Sequence, residues 1–202
     1  FVATGAATID EVKHAHEIIS KQTKQFCLMQ CNTNYTGSIE NFKYINLNVI
    51  KSYRKLFPNT ILGLSDHTPG SETVLGAVAL GVKAVEKHFT DDITREGPDH
   101  PFSMDPNTWK QMVKSTRLLE SAMGGDIKKI ENNEIETSVL QRRSIRAIRD
   151  LKPGEVLSRE MIEFQRPCPK DGFTPNEFKK IVGKKILSLI SNGMHLTKKD
   201  LS

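Results

Sequence analysis

The sequence predicts an α/β protein, the C-terminal half of a (β/α)8 TIM barrel followed by a small β-rich domain. Three observations predict it. A strand-like run followed by an amphipathic helix recurs four times before residue 124, the pattern then changes to short strands separated by turns, and the charge balance shifts near the same point. Residues 1–140 carry 15 basic and 17 acidic side chains, whereas residues 141–202 carry 14 and 7. Such a shift separates two domains of different surface character.

In chain order, the strand-like runs are residues 1–4, 26–31, 60–65 and 84–89, and the helical segments are 9–20, 45–56, 71–80 and 106–123. Ile9, Val12, Ala15/His16 and Ile19 form one stripe of the first helix, and Trp109, Met112/Val113 and Leu118/Leu119 form one on the last. Alternation of this kind indicates parallel strands joined by crossover helices. Four such units are half of a barrel that typically takes ~250 residues; an open four-stranded α/β sheet is the competing architecture. Because Phe1-Val-Ala-Thr-Gly starts inside an apolar run, the chain is expected to be truncated at its N-terminus, with the other half-barrel upstream. Residues 1–123 are therefore assigned to the half-barrel, 124–141 to a linker opened by Gly124-Gly125, and 142–202 to the small domain. Within that domain residues 144–148 and 161–165 read as strands, and Pro153-Gly154 suits a type II turn because glycine accepts positive φ.

Composition excludes several classes. No apolar run approaches the ~18 residues of a membrane span. The net charge of +5 is concentrated in the C-terminal portion, but that portion has only Phe164, Phe173 and Phe178 as aromatics and no basic run longer than two, which argues against nucleic acid. A cationic face over anionic small molecules is the better reading. Three cysteines, Cys27, Cys31 and Cys168, make no disulfide framework and suit a reducing compartment, so a cytoplasmic location is expected.

Reactive groups of a parallel barrel lie where its strands end. The third strand ends Gly63-Leu-Ser-Asp-His and the fourth Val85-Glu-Lys-His, so His67 and His88 stand 21 residues apart, one βα unit. That spacing predicts matching heights on strands ~4.8 Å apart. Two imidazoles so placed could share a metal ion and leave positions for water or substrate; the alternative is a pair of hydrogen-bonded structural histidines. Period-2 geometry aligns Ser65 with His67 and Glu86 with His88, which puts a hydroxyl and a carboxylate beside the pair. Asp99 lies in a loop long for a βα connection and suits either a hydroxyl-binding carboxylate or a solvated turn. After the second strand, Asn32-Thr-Asn-Tyr35 offers amides, a hydroxyl and an aromatic face, a mix that fits a sugar and also an ordinary turn.

At Gly63-Leu-Ser-Asp-His-Thr, Glu86-Lys-His-Phe-Thr, Arg95-Glu-Gly-Pro-Asp-His-Pro-Phe-Ser-Met and residues 143–199, the sequence resembles the sialic acid (N-acetylneuraminate) synthases and their legionaminic acid and spore-coat polysaccharide relatives. The resemblance implies a barrel followed by an antifreeze-like SAF domain. It implies condensation of phosphoenolpyruvate with an N-acetylmannosamine-like aldehyde to a nine-carbon 2-keto sugar acid plus phosphate. Mn²⁺ or Mg²⁺ would be held by His67 and His88, with Glu86 as a carboxylate beside the ion. Ser65, Thr33 and Asn34 correspond to phosphoenolpyruvate contacts, and Tyr35 and Asp99 to sugar contacts. Arg166 corresponds to a contact with the N-acyl group, made across a domain-swapped homodimer. A non-catalytic carbohydrate-binding fragment and another metal-dependent barrel aldolase or hydrolase are the other readings. A binding module has no need of Ser65, His67, Glu86, His88 and Asp99 together.

Overall fold

The computed structural model describes residues 1–202, which divide into two compact units, Phe1–Gly125 and Asp126–Ser202. In the first unit, β1 (Val2–Ala3), β2 (Cys27–Cys31), β3 (Ile61–Asp66) and β4 (Ala84–Lys87) form one parallel sheet in the order β1-β2-β3-β4. Helices α1 (Ile9–Gln22), α2 (Val49–Leu56) and α3 (Glu72–Ala79) connect them, and α4 (Pro106–Met123) follows the last strand. Each strand adds to the same edge as its predecessor. This is the order of a barrel sector, whereas a doubly wound sheet reverses at a switch point.

Local signals start the longer helices. The Thr8 side chain accepts the Glu11 N–H while the Glu11 carboxylate accepts the Thr8 N–H, a capping box that opens α1; Asp105 and Thr108 repeat the device at α4. Helix α2 begins later than the apolar pattern suggests. A 3-10 turn (Ile39–Tyr44) precedes it, and Asn46 at φ +50° breaks the helical path, a conformation that asparagine tolerates better than most residues. Three of the expected inward residues face solvent, Ile9 on α1 and Val113 and Leu118 on α4; Val12 and Met112 fill the buried positions.

The two faces of the sheet have different tasks. Leu28, Leu62 and Leu64 pack against Val12, Ile50, Tyr53, Phe57 and Ala77 from the helices and make the core. The alternate residues form rows on the opposite face, where register sets Cys31 beside Ser65 and Ser65 beside Glu86.

After β4 the chain leaves the sheet and returns to it. Thr90 N–H donates to the Met104 carbonyl, Met104 N–H donates to the His88 carbonyl, and Phe89 bridges Met104 in parallel fashion. The long loop is therefore closed at its base, and a 3-10 turn (His100–Phe102) lies inside it.

In the second unit β5 (Ser144–Ala147) pairs antiparallel with β6 (Ile162–Gln165), and isolated bridges such as Leu151 with Ile190 and Ile186 with Leu201 complete a β-rich body. Its core gathers Ile145, Ala147, Leu151, Leu157, Ile162, Ile181, Ile186 and Leu196. Gly154 takes φ +89° and Glu155 N–H bonds back to the Lys152 carbonyl at 3.2 Å, as a turn through Pro153-Gly154 requires. The stretch expected as a linker is partly helical: α5 (Ile135–Gln141) follows a 3-10 turn (Asn132–Glu134). It belongs to this unit because the Val139 carbonyl accepts the Cys168 N–H and the Gln141 carbonyl accepts Arg166 Nε. A four-residue helix α6 (Phe178–Ile181) contributes Ile181 to the core. No helix of the chain is long and apolar enough to cross a membrane.

Candidate active site

The ends of β2, β3 and β4 bring one cluster together. The imidazoles of His67 and His88 lie with ring centroids 5.1 Å apart, at 67° to each other. Tyr35, from the loop after β2, stands 4.2 Å from the His67 ring and 5.8 Å from that of His88. Phe102 supports the cluster from the closed loop, at 4.9 Å from His88, 6.0 Å from His67 and 5.9 Å from Tyr35. Phe102, inside the Arg95–Met104 motif, is wholly buried, and its role comes from the return of the chain to β4.

Each histidine has Nδ1 close to an oxygen. His67 Nδ1 lies 2.8 Å from the Asn32 carbonyl, with Cys31 Sγ at 4.0 Å. His88 Nδ1 lies 3.3 Å from an Asp99 carboxylate oxygen. The Nε2 atoms of both rings have no partner within the chain. The Asn32 carbonyl is a site group that sequence reasoning passed over, because a backbone oxygen leaves no mark in residue type. Asp99 stands against His88, so one of its oxygens already serves the ring.

Two residues before the histidines, on the same face of the sheet, Ser65 is buried and Glu86 is open to solvent, paired in register. Cys31 completes the row; burial pushes its thiol pKa up, against hydrogen bonds from the Ser65 hydroxyl and the Gly5 N–H, and the Glu86 charge pushes the same way as burial. Gly5 is needed here, since a Cβ on it would lie 2.2 Å from Thr33 Cγ2 and 3.0 Å from Cys31 Sγ.

The Asn-Thr-Asn turn divides its labour. The Asn32 amide is engaged within the turn, accepting the Asn34 N–H and donating to the Tyr44 carbonyl, while the side chains of Thr33 and Asn34 face solvent. An open cleft of about 800 Å³ adjoins them, lined also by Thr4, Thr8, Gln30, Tyr44 and Tyr53. Arg166 lies in the second unit, exposed, and engages only Nε, on the Gln141 carbonyl.

Nowhere do three His, Cys, Asp or Glu side chains converge to enclose an ion. The donor set of His67 and His88 is compatible with a divalent ion that takes its remaining ligands from water or substrate oxygens.

Residues 1–128 match the NeuB family, and residues 142–202 match the SAF domain. The chain belongs to the NeuB family. The human N-acetylneuraminate-9-phosphate synthase is 33% identical over 92% of this chain and 51% of its own length. The N,N'-diacetyllegionaminic acid synthase of Campylobacter jejuni is 33% identical over 91% of this chain and 54% of its own. The NeuB-family chain thus spans about half the length of these relatives. Among solved structures, the N-acetylneuraminic acid synthetase of Leptospira borgpetersenii in complex with citrate aligns with TM-score 0.59 at 29% identity, over 67% of this chain and 46% of that one. In this NeuB-family chain the α/β unit is a sector of a TIM barrel, and its relatives are sialic-acid-type synthases.

Proposed function

We propose that the full-length polypeptide carrying this chain condenses phosphoenolpyruvate with the open-chain aldehyde of an N-acylated hexosamine, giving a nine-carbon 2-keto sugar acid and phosphate. The observation that carries the reading is the pair of imidazoles at the ends of β3 and β4, His67 bonded to the Asn32 carbonyl and His88 beside Asp99, above Ser65 and Glu86 in a family of sialic-acid-type synthases.

In the reaction, carbon 3 of the enol phosphate attacks the aldehyde carbon and the aldehyde oxygen takes up a proton. Water adds at carbon 2, and loss of phosphate leaves the ketone. A Mn²⁺ or Mg²⁺ ion held by the Nε2 atoms of His67 and His88 would polarise the aldehyde oxygen as a Lewis acid. The chain's own groups do the rest. Glu86, open to solvent beside the pair, can hold or release a proton. Ser65, Thr33 and Asn34 offer donors to the carboxylate and phosphate oxygens of phosphoenolpyruvate. Tyr35 presents a ring face and hydroxyl to the sugar, and the second oxygen of Asp99 accepts from a sugar hydroxyl. A domain-swapped homodimer in which Arg166 of one subunit binds the N-acyl group in the other belongs to the same reading.

The test is phosphate release from phosphoenolpyruvate by the full-length polypeptide, with a panel of N-acylated hexosamines and with or without Mn²⁺. His67→Ala and His88→Ala should each lower kcat by about a hundredfold or more. Wild-type turnover in both variants, or no phosphate release with any sugar, would sink the proposal.

A further inference from the structure

We infer that Asp66 and Lys87 are positioning residues, a buried ion-paired latch that sets His67 and His88 in their mutual geometry. The two are register partners on β3 and β4, each immediately before one of the histidines. Lys87 Nζ lies 2.7 Å from Asp66 Oδ2, and both side chains are 0% exposed. They occupy the helix-facing side of the sheet, opposite Ser65 and Glu86, and so do not touch a molecule bound above the histidines.

The latch ties together the segments on either side of His67, the residue before His88 and the start of α3. Asp66 Oδ1 accepts the Thr68 N–H at 3.3 Å and the Thr68 hydroxyl at 2.9 Å. Oδ2 accepts the Thr73 hydroxyl, from the first turn of α3, at 2.8 Å. Lys87 donates a second hydrogen bond to the Thr68 carbonyl. The residues on both sides of His67, the residue before His88 and the start of α3 therefore meet at one carboxylate–ammonium centre. A buried ion pair is rarely more stable than a well-packed apolar pair of the same volume. What it adds is direction, because each donor and acceptor has one geometry that satisfies it. An apolar pair at these positions would fill the space and leave the β3–β4 offset and the Thr68 backbone free to adjust.

The inference rests on the reading of His67 and His88 as the reactive pair, and its test separates the two. In the full-length polypeptide, the imidazole Cε1–H resonances of His67 and His88 are assigned with His67→Ala and His88→Ala. They are then compared at fixed pH among wild type, Lys87→Met, Asp66→Asn, Thr73→Val and the neutral pair Asp66→Asn/Lys87→Gln. Phosphate release is measured on the same samples well below their Tm. Lys87→Met and Asp66→Asn should displace both resonances and lower kcat/KM at least tenfold. The neutral pair keeps complementary hydrogen-bonding groups without the charges, and it should bring both readouts back to within about threefold of wild type in rate, with wild-type shifts. Thr73→Val, which removes only the α3 tether and is the variant surest to fold, should shift the resonances in the same sense and less. Wild-type resonances in Thr73→Val and Lys87→Met, with a lowered Tm as the only effect, would overturn the latch. If His67→Ala and His88→Ala keep full turnover, the catalytic reading falls, and the resonances alone decide the latch.

Discussion

Replacing Phe102 tests whether the aromatic floor of the cluster has a purpose beyond filling space. Its ring is 0% exposed and lies within 4.9–6.0 Å of His88, Tyr35 and His67. Truncating a buried Phe to Ala costs about 3–5 kcal/mol, a large share of the ~5–15 kcal/mol that a domain has in total. The three ring contacts fall within the separations at which aromatic pairs add ~0.5–1.5 kcal/mol each beyond burial. Phe102→Leu refills most of the cavity and removes those edge contacts, so its stability loss should be smaller, about 1–2 kcal/mol. Turnover should separate the two roles. With the floor gone the imidazoles and Tyr35 can shift by a fraction of an ångström to about one, a displacement that can reduce rate as much as about a hundredfold. The assay is urea unfolding of the full-length polypeptide followed by circular dichroism, alongside phosphate release for each variant. A Phe102→Ala cost below about 1 kcal/mol, or Phe102→Leu with unchanged kcat/KM, would refute the assignment of Phe102 as the support of the site.

Three further outcomes follow from the geometry. Gly5→Ala should displace the Thr33 side chain, which a new Cβ would meet at 2.2 Å, and raise the KM for phosphoenolpyruvate more than it lowers Tm; the reverse pattern would remove Thr33 from the binding surface. Burial pushes the pKa values of Cys27 and Cys31 up, so little thiolate exists at pH 8; iodoacetamide should modify neither thiol in the folded protein, as mass spectrometry would reveal, and rapid modification of Cys31 would contradict its placement. Burial would raise the pKa of Asp200, but bonds from the Thr197 hydroxyl and N–H and from the Ser188 hydroxyl outweigh it and hold the carboxyl below its ordinary value. A depressed carboxylate contributes stability above its unfolded pKa of ~3.9 and loses it as pH falls through the folded value. Asp200→Asn should therefore cost about 1–3 kcal/mol at pH 7 and progressively less as the pH falls through the folded value, and a cost that does not change with pH would refute the ion's role.

The parts of the fold that were legible in the sequence are those governed by local rules. Four parallel units follow from the apolar periods, and the α1 and α4 boundaries from Thr8/Glu11 and Asp105/Thr108. What escaped depends on positions brought together late. Nothing beside residue 45 announces that Asn46 will take φ +50° and delay α2, and the short helix Ile135–Gln141 has a composition that reads as a linker. Within the site, the 21-residue spacing that juxtaposes His67 and His88 also pairs Asp66 with Lys87, so that latch had a signal in the sequence which a search for exposed chemistry overlooked. The Asn32 carbonyl had none, being a backbone atom, and Phe102 lay within the Arg95–Met104 motif, but its packing depends on a loop closing that no residue type announces.

The closure of that loop has a consequence for how such a protein can diversify. Because Met104 seals residues 91–103 at their base by accepting the Thr90 N–H and donating to the His88 carbonyl, the excursion behaves as a cartridge plugged into the end of β4. Its outer residues, from Asp91 to Gly97, can be lengthened, shortened or recoded without transmitting strain to the strand, provided that the stem, Asp99 and Phe102 stay in place. Under the proposed function, selection for a new acceptor can act on residues 91–97 while His67 and His88 are inherited unchanged.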